Sequence, residues 1–134
     1  MVDSKQEQGP AGFTLHLVPE SVWLDQEHAA HYVPEGFSSE GFIHCTDDDG
    51  FAIAVGNRYY RDDPRPYLVL EVDLERVAAP AMYEDDDRRY PHVYGPIERY
   101  AVQRVRRVER ATDGTFIAIG EPVPEHLPEQ SPGV

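Results

Sequence analysis

The stretch Tyr67–Leu74, reading YLVLEVDL, constrains the fold more than any other part of the chain. Leu68, Leu70, Val72 and Leu74 recur at every second position, so an extended backbone puts all four on one face. A strand with an apolar face needs a layer to bury it, and the rest of the sequence offers partners. Phe13, Leu15 and Leu17 alternate with Thr14, His16 and Val18, the period of a half-buried strand. Gly41-Phe42-Ile43-His44-Cys45 reads as a second strand, and Ala81–Glu84 as a weaker one ending in the acidic loop Asp85-Asp86-Asp87-Arg88-Arg89. Residues 97–108 fit two templates. Ile97, Ala101, Val105 and Val108 keep a helical period, while the β-branched content suits a strand. Asp113-Gly114 is hairpin-turn chemistry leading into Thr115–Ile119, which argues that the residues before it end as a strand.

Helical signals are fewer. Pro19-Glu20-Ser21 opens a short helix carrying Val22, Trp23 and Leu24, with proline suited to the first turn. Asp47 or a neighbour caps a helix expected over about 48 to 61, with Phe51, Val55 and Tyr59 on one stripe. Residues 28–40 read as loop, with Pro34-Glu35-Gly36 and Ser38-Ser39 as turn chemistry. Strands outnumber helices and the connections are short, so the expected class is a mixed α+β fold.

A chain of 134 residues supports one hydrophobic core, here placed over residues 13–120. Residues 1–12 and the proline-rich 121–134 are expected to be a disordered lead and tail. The lead lacks the apolar segment of a signal peptide, and no run approaches membrane-spanning length, so a soluble, cytoplasmic protein is expected. One cysteine, Cys45, excludes an internal disulfide and suits a reducing compartment. The 25 acidic residues outnumber the 12 basic ones, giving a formal charge of -13 that repels phosphate backbones; duplex nucleic acid is not an expected partner. Arg104, Arg106, Arg107 and Arg110 form the one basic cluster that could hold a nucleotide, and they read more simply as a solvated face.

Two segments concentrate the chemistry-bearing residues. In Gly41–Thr46 (GFIHCT), alternation puts His44 and Thr46 on one face and Ile43 and Cys45 on the other. His16 shares a face with Thr14, away from Phe13, Leu15 and Leu17, so two strands each direct a histidine away from the apparent core. Such histidines either line a common cleft or are half-buried and satisfied by a backbone carbonyl. In Tyr90–Pro96 (YPHVYGP), two prolines and a glycine fix a turned, extended backbone that presents His92 and Tyr94 on one side, with Tyr90 as a further phenol. This is either a rigid small-molecule pocket or a structural aromatic corner. Glu84, at a strand end before a loop, is placed to accept from a hydroxyl or to stabilise developing positive charge. No HxH or HExxH spacing occurs, so no metal site is expected. The usual glycine-rich phosphate loops are also missing.

Taken in order, His16-Leu17-Val18, Trp23, GFIHCT, Asn57-Arg58-Tyr59-Tyr60, Leu68–Asp73, Tyr83-Glu84 and Tyr90–Ile97 resemble the uncharacterised bacterial domain-of-unknown-function family nine-five-two, over about Phe13 to Phe116. Where that pattern usually has Trp before the glutamate and Phe before Pro-His, this chain has Tyr83 and Tyr90. The resemblance implies a fold similar to ADP-ribosyltransferases: a split antiparallel β-sheet core with short flanking helices and an NAD-sized cleft. It further implies His16 as the first-strand residue, His44-Cys45-Thr46 as the second-strand motif and Glu84 as the late-strand glutamate. NAD would then be a substrate rather than a tightly bound cofactor, its nicotinamide–ribose bond cleaved beside Glu84, with Tyr94 stacking on nicotinamide. Two other expectations stand beside this one. One is a metabolite-binding module without turnover. The other is an enzyme of another class, with His44 or His92 as general acid or base and Tyr94 assisting.

Overall fold

The alternating apolar pattern of residues 67–74 becomes the centre of the molecule. In the computed structural model, which describes residues 12–123, the chain runs through β1 (Phe13–Pro19), α1 (Glu20–Asp25), β2 (His31–Tyr32), α2 (Phe37–Glu40), β3 (Ile43–His44), α3 (Asp49–Val55), β4 (Tyr67–Asp73), β5 (Ala81–Tyr83), β6 (Pro91–Val93), β7 (Ile97–Glu98), β8 (Val102–Arg110) and β9 (Phe116–Pro122). Every pairing is antiparallel. The strands form a four-stranded sheet in the order β1-β4-β8-β9, a three-stranded sheet β3-β6-β5, and a two-stranded pair β2-β7. This is a mixed α/β fold with antiparallel sheets and few, short helices.

β4 is buried on both faces, and so separates two cores. Leu68, Leu70, Val72 and Leu74 join Val18, Trp23, Tyr32, Ile43, Val93, Ile97 and Val105 in the larger cluster. Tyr67 and Val69 point the other way, into a smaller cluster with Leu15, Ala52, Val108 and Phe116, closed by α3. His16 pairs with Leu70 across β1 and β4, so its face of β1 meets the larger core. The expectation that His16 points away from the main core is therefore corrected. The apolar set on β1 serves the smaller cluster, and Phe13 is mostly exposed.

Three other differences have local causes. Val102, Val105 and Val108 are buried at every third position of a strand: Gln103 bulges where the β4–β8 register slips between Glu71 and Val72, so Val102 and Val105 share the larger core, while Val108 falls by ordinary alternation on the smaller one. One bulge and burial on both faces together are why the residues mimic a helical period. The helix starts at Asp49, capped by Asp48, whose side chain accepts from the Phe51 amide at 2.8 Å, and it ends in a π-helical turn over Gly56–Tyr60. That wider turn carries Tyr59 into solvent and brings Tyr60 onto Tyr67 at 5.2 Å, so the inward stripe is buried Ala52 and Gly56 with half-buried Tyr60, rather than Phe51, Val55 and Tyr59. Tyr32, within the stretch read as loop, is fully buried, because turn chemistry begins only after it, at Pro34.

The globular part extends beyond residue 120: β9 runs to Pro122, and buried Val123 donates its amide to the Val105 carbonyl at 2.7 Å. The lead and tail expected to be disordered fall, apart from Gly12 and residues 121–123, outside the described residues. Among the described residues no helix is long and apolar enough to cross a membrane. The basic cluster is spent on the fold. Arg106 pairs with Asp49 and Glu71, Arg104 lies 3.8 Å from Glu71, and Arg110 donates to the carbonyls of Tyr60, Arg61, Arg65 and Gly114 beneath Phe116.

Gly56 tests the packing of the π turn. A Cβ there would stand 2.4 Å from the Phe116 ring, which Asn57 pins through two hydrogen bonds to the Phe116 backbone, at 2.7 and 3.0 Å. Gly56→Ala is expected to destabilise by about 2–3 kcal/mol through overpacking. A denaturant midpoint unchanged from wild type would show that the ring moves freely.

Candidate functional site

β6 lies between β3 and β5, and its register sets the site. His44 faces His92, and Met82 faces His92 from the other side, so the three stand in a row across one face. Their neighbours Ile43, Val93 and Ala81 form the opposite face and pack into the larger core. Two residues along each strand, the same alternation brings Phe42 and Tyr94 to the outer face. At the end of β5 it brings Glu84 there too. Gly41, at φ 83°, turns the chain out of α2 into β3; a side chain in that left-handed conformation would be strained.

The outer face is held by its own contacts. The His92 Nδ1–H donates to Glu84 Oε1 at 2.7 Å, and the Tyr94 hydroxyl donates to the same oxygen. These two bonds, Tyr94 first, hold the Glu84 carboxyl below its ordinary range, and the shared proton raises the Tyr94 phenol. A carboxylate accepts only, so the proton of neutral His92 sits on Nδ1. Its Nε2, which makes no hydrogen bond among the described residues, carries the lone pair. Phe42 stacks on His92 with ring centroids 4.2 Å apart and planes 15° from parallel. His44 meets His92 edge-on at 5.1 Å, and its Nε2–H reaches Glu40 Oε2 at 3.3 Å, which leaves Nδ1 as its acceptor. The two imidazoles thus hold opposite tautomers, each with a carboxylate partner. His92 is mostly covered, while the side chains of His44 and Glu84 are about half exposed. The site is an open sheet face rather than a cleft.

Other residues singled out in the sequence lie elsewhere. His16 is only 5% exposed, with both ring nitrogens bonded: Nδ1–H donates to the His44 carbonyl and Nε2 accepts from the Tyr32 hydroxyl, each at 2.7 Å. It has no free atom for a ligand, and burial pushes its pKa down to about 4. Thr46 is buried where β1 meets the three-stranded sheet, through the paired amides and carbonyls of Leu15 and Thr46 at 2.7 Å. Tyr90 lies against Phe51 of α3. Cys45 is buried in the larger core, and burial raises its thiol. A groove of about 640 Å³ opens between Phe13, Leu15, Asp47–Asp49, Glu71 and Arg106, and includes none of the histidines.

Phe42, Glu40 and Met82 belong to the face and were not among the residues singled out in the sequence. Phe42 was legible by alternation, two positions before His44; Glu40 lies across the Gly41 turn, which no period spans. Among the described residues no group of three or more His, Cys, Asp or Glu side chains is arranged to hold a metal ion.

These features define an all-antiparallel α/β domain whose small sheet carries a histidine–carboxylate face. The family model described as "Protein of unknown function (DUF952)" matches residues 17–105, and the chain belongs to that family. Its fold is similar to the X-ray structure of protein CC0527 from Caulobacter crescentus, with a TM-score of 0.67 at 18% identity, covering 78% of this chain and 93% of that one. A double mutant of CC0527 gives the same values. No curated protein matches the chain.

Proposed function

We propose that the protein is a general acid–base enzyme acting on a small metabolite at the outer face of the three-stranded sheet. The observation that carries this reading is the doubly bonded Glu84 oxygen, which fixes His92 in the Nδ1–H tautomer and leaves Nε2 as a base. Glu84 stabilises the imidazolium once His92 has taken a proton, and the stacked Phe42 ring prevents His92 from turning. His44 can return a proton to the substrate when its Nδ1 is protonated as well, with Glu40 beside its Nε2–H balancing the charge. Tyr94 holds Glu84 in place and presents its ring to a planar group.

A second reading, which the resemblance of the sequence implied, is cleavage of the nicotinamide–ribose bond of NAD. It is favoured by Glu84 Oε2, which makes no hydrogen bond among the described residues and stands just past β5, next to Tyr94 and His92. The split between a four-stranded and a three-stranded antiparallel sheet suits it as well. It loses weight because His16, its ribose ligand, is internal and fully bonded.

A defined metabolite library that includes NAD, incubated with the protein in deuterium oxide and read by mass spectrometry, separates these readings. Conversion or deuterium uptake in one compound is expected. His92→Ala should slow it by about 10²–10⁴-fold and Glu84→Gln by about 10²-fold. Nicotinamide release from NAD would favour the second reading. No change in any compound, with binding that His44→Ala abolishes, would leave a binding module. Equal rates in wild type and His92→Ala would remove the base.

A further inference from the structure

We propose that His16 is a positioning residue for His44: from inside the core, its imidazole holds the His44 carbonyl and so fixes the distance between His44 and His92. The inference rests on the acid–base reading of the outer face. Its geometry is independent of that reading.

β1 and the chain leading out of β3 begin an antiparallel ladder at Leu15–Thr46, where each residue's amide bonds to the other's carbonyl. In a regular ladder the next bonded pair, two residues on, would be Leu17 with His44, and the Leu17 amide would hold the His44 carbonyl. Among the described residues the ladder stops after one bridge. The carbonyl accepts instead from His16 Nδ1–H at 2.7 Å, while on the opposite edge the Cys45 amide continues the ladder with β6 through the Pro91 carbonyl at 3.0 Å. A side chain has replaced a main-chain bond, and the two strands diverge by the reach of an imidazole.

The ring itself cannot drift. Its far nitrogen is held by the Tyr32 hydroxyl at 2.7 Å, and Tyr32 meets it edge-on at 5.4 Å while being fully buried. Tyr32 is in turn packed edge-on against Trp23 at 5.6 Å. A line of rigid side chains therefore runs from the core through Trp23, Tyr32 and His16 to the backbone of His44. The ladder with β6 holds the far edge of β3 through Ile43–Val93, His44–His92 and the Cys45–Pro91 bond, and on the edge facing β1 the hold on His44 comes from the His16 ring. The arrangement asks for a donor on one side and an acceptor on the other, which a histidine in one tautomer provides. Glutamine approximates it, and leucine does not.

The test uses the full chain with isotope-labelled histidine. In wild type a ring-to-ring nuclear Overhauser effect between His44 and His92 is expected, with His44 carrying its proton on Nε2. His16→Leu is expected to keep a native methyl spectrum and to lose the Nε2–H tautomer of His44. The Overhauser effect should fall about threefold, as a ~1 Å displacement would produce. His16→Gln should restore most of both signals, and the Glu84-bonded Nδ1 of His92 should not move in either variant. Native His44 signals in a folded His16→Leu protein would overturn the proposal. Should that variant fail to fold, Tyr32→Phe carries the test, because it frees one end of the ring at small cost in volume; unchanged His44 signals there would overturn the proposal equally. A library without turnover, beside the expected shifts, would instead sink the acid–base reading and leave the positioning role in place.

Discussion

Acidification from pH 6.5 to pH 4 is expected to cost the fold about 3 kcal/mol through His16 alone. Burial lowers the His16 pKa from 6.5 to about 4, so between those values the unfolded chain binds a proton that the native protein refuses. The contribution is fully present above pH 6.5, falls away as the pH drops, and levels off below about 4, where native His16 is protonated too. Both faces of the ring explain the refusal. The charge would lie in an apolar core beside the His44 imidazole, and because Nε2 already accepts from Tyr32, a proton there would force that buried hydroxyl to turn and accept instead, giving up its own donation. Carboxylates whose pKa is lowered in the fold, among them Glu84 and Asp113, begin to lose their stabilisation near their ordinary pKa, so the upper part of the window, from pH 6.5 to about 5, is where the slope reports on His16. Urea unfolding at a series of pH values reads the slope directly. A flat profile between pH 6.5 and 4, or the same slope in His16→Gln, would contradict it.

Trp23→Ala should be costlier still, at about 4 kcal/mol, close to the whole stability of many domains of this size. Trp23 is 1% exposed, and Arg99 lies 3.8 Å above its ring while donating to the Gln26 carbonyl at 2.7 Å. Truncation leaves a large void beneath that half-desolvated cation and removes the wall against which Tyr32 packs. Trp23→Phe is expected to cost much less, about 1 kcal/mol. It keeps an aromatic in place and removes an indole N–H that is buried without a hydrogen-bond partner among the described residues. Thermal and denaturant unfolding of both variants measure the difference; similar losses would mean that the ring's bulk is not what matters. In Trp23→Ala the His44 signals should shift as they do in Tyr32→Phe, since both loosen the same support.

What the sequence revealed depended on how local the cause was. Strands with an uninterrupted alternation, β1 and β4, were readable, as was the hairpin turn before β9. β8 was ambiguous because Gln103 has no Cα partner on β4, so its valines fall at every third position. His44, His92, Tyr94 and Glu84 could be singled out because strand alternation exposes them. That the Glu84 carboxylate serves His92 and Tyr94 depends on the register between β5 and β6, which pairs Met82 with His92 across the Asp85–Arg89 loop. His16 shows the limit most plainly. Its alternation was read correctly, but which face of β1 meets the larger core depends on β4 packing on both sides, and a single strand's pattern does not carry that information.

The Leu15–Thr46 bridge, described above as the place where a ladder stops, also bears on how such a protein changes over time. Because the small sheet shares so little backbone with the large one, residues on its outer surface can be exchanged without disturbing the interior. Phe42, Glu84 and Tyr94 can be exchanged there, altering the chemistry around the imidazoles, while Ile43 and Val93 remain in the core. The scaffold and the reactive surface can therefore diversify at different rates, and a common architecture need not imply a common substrate.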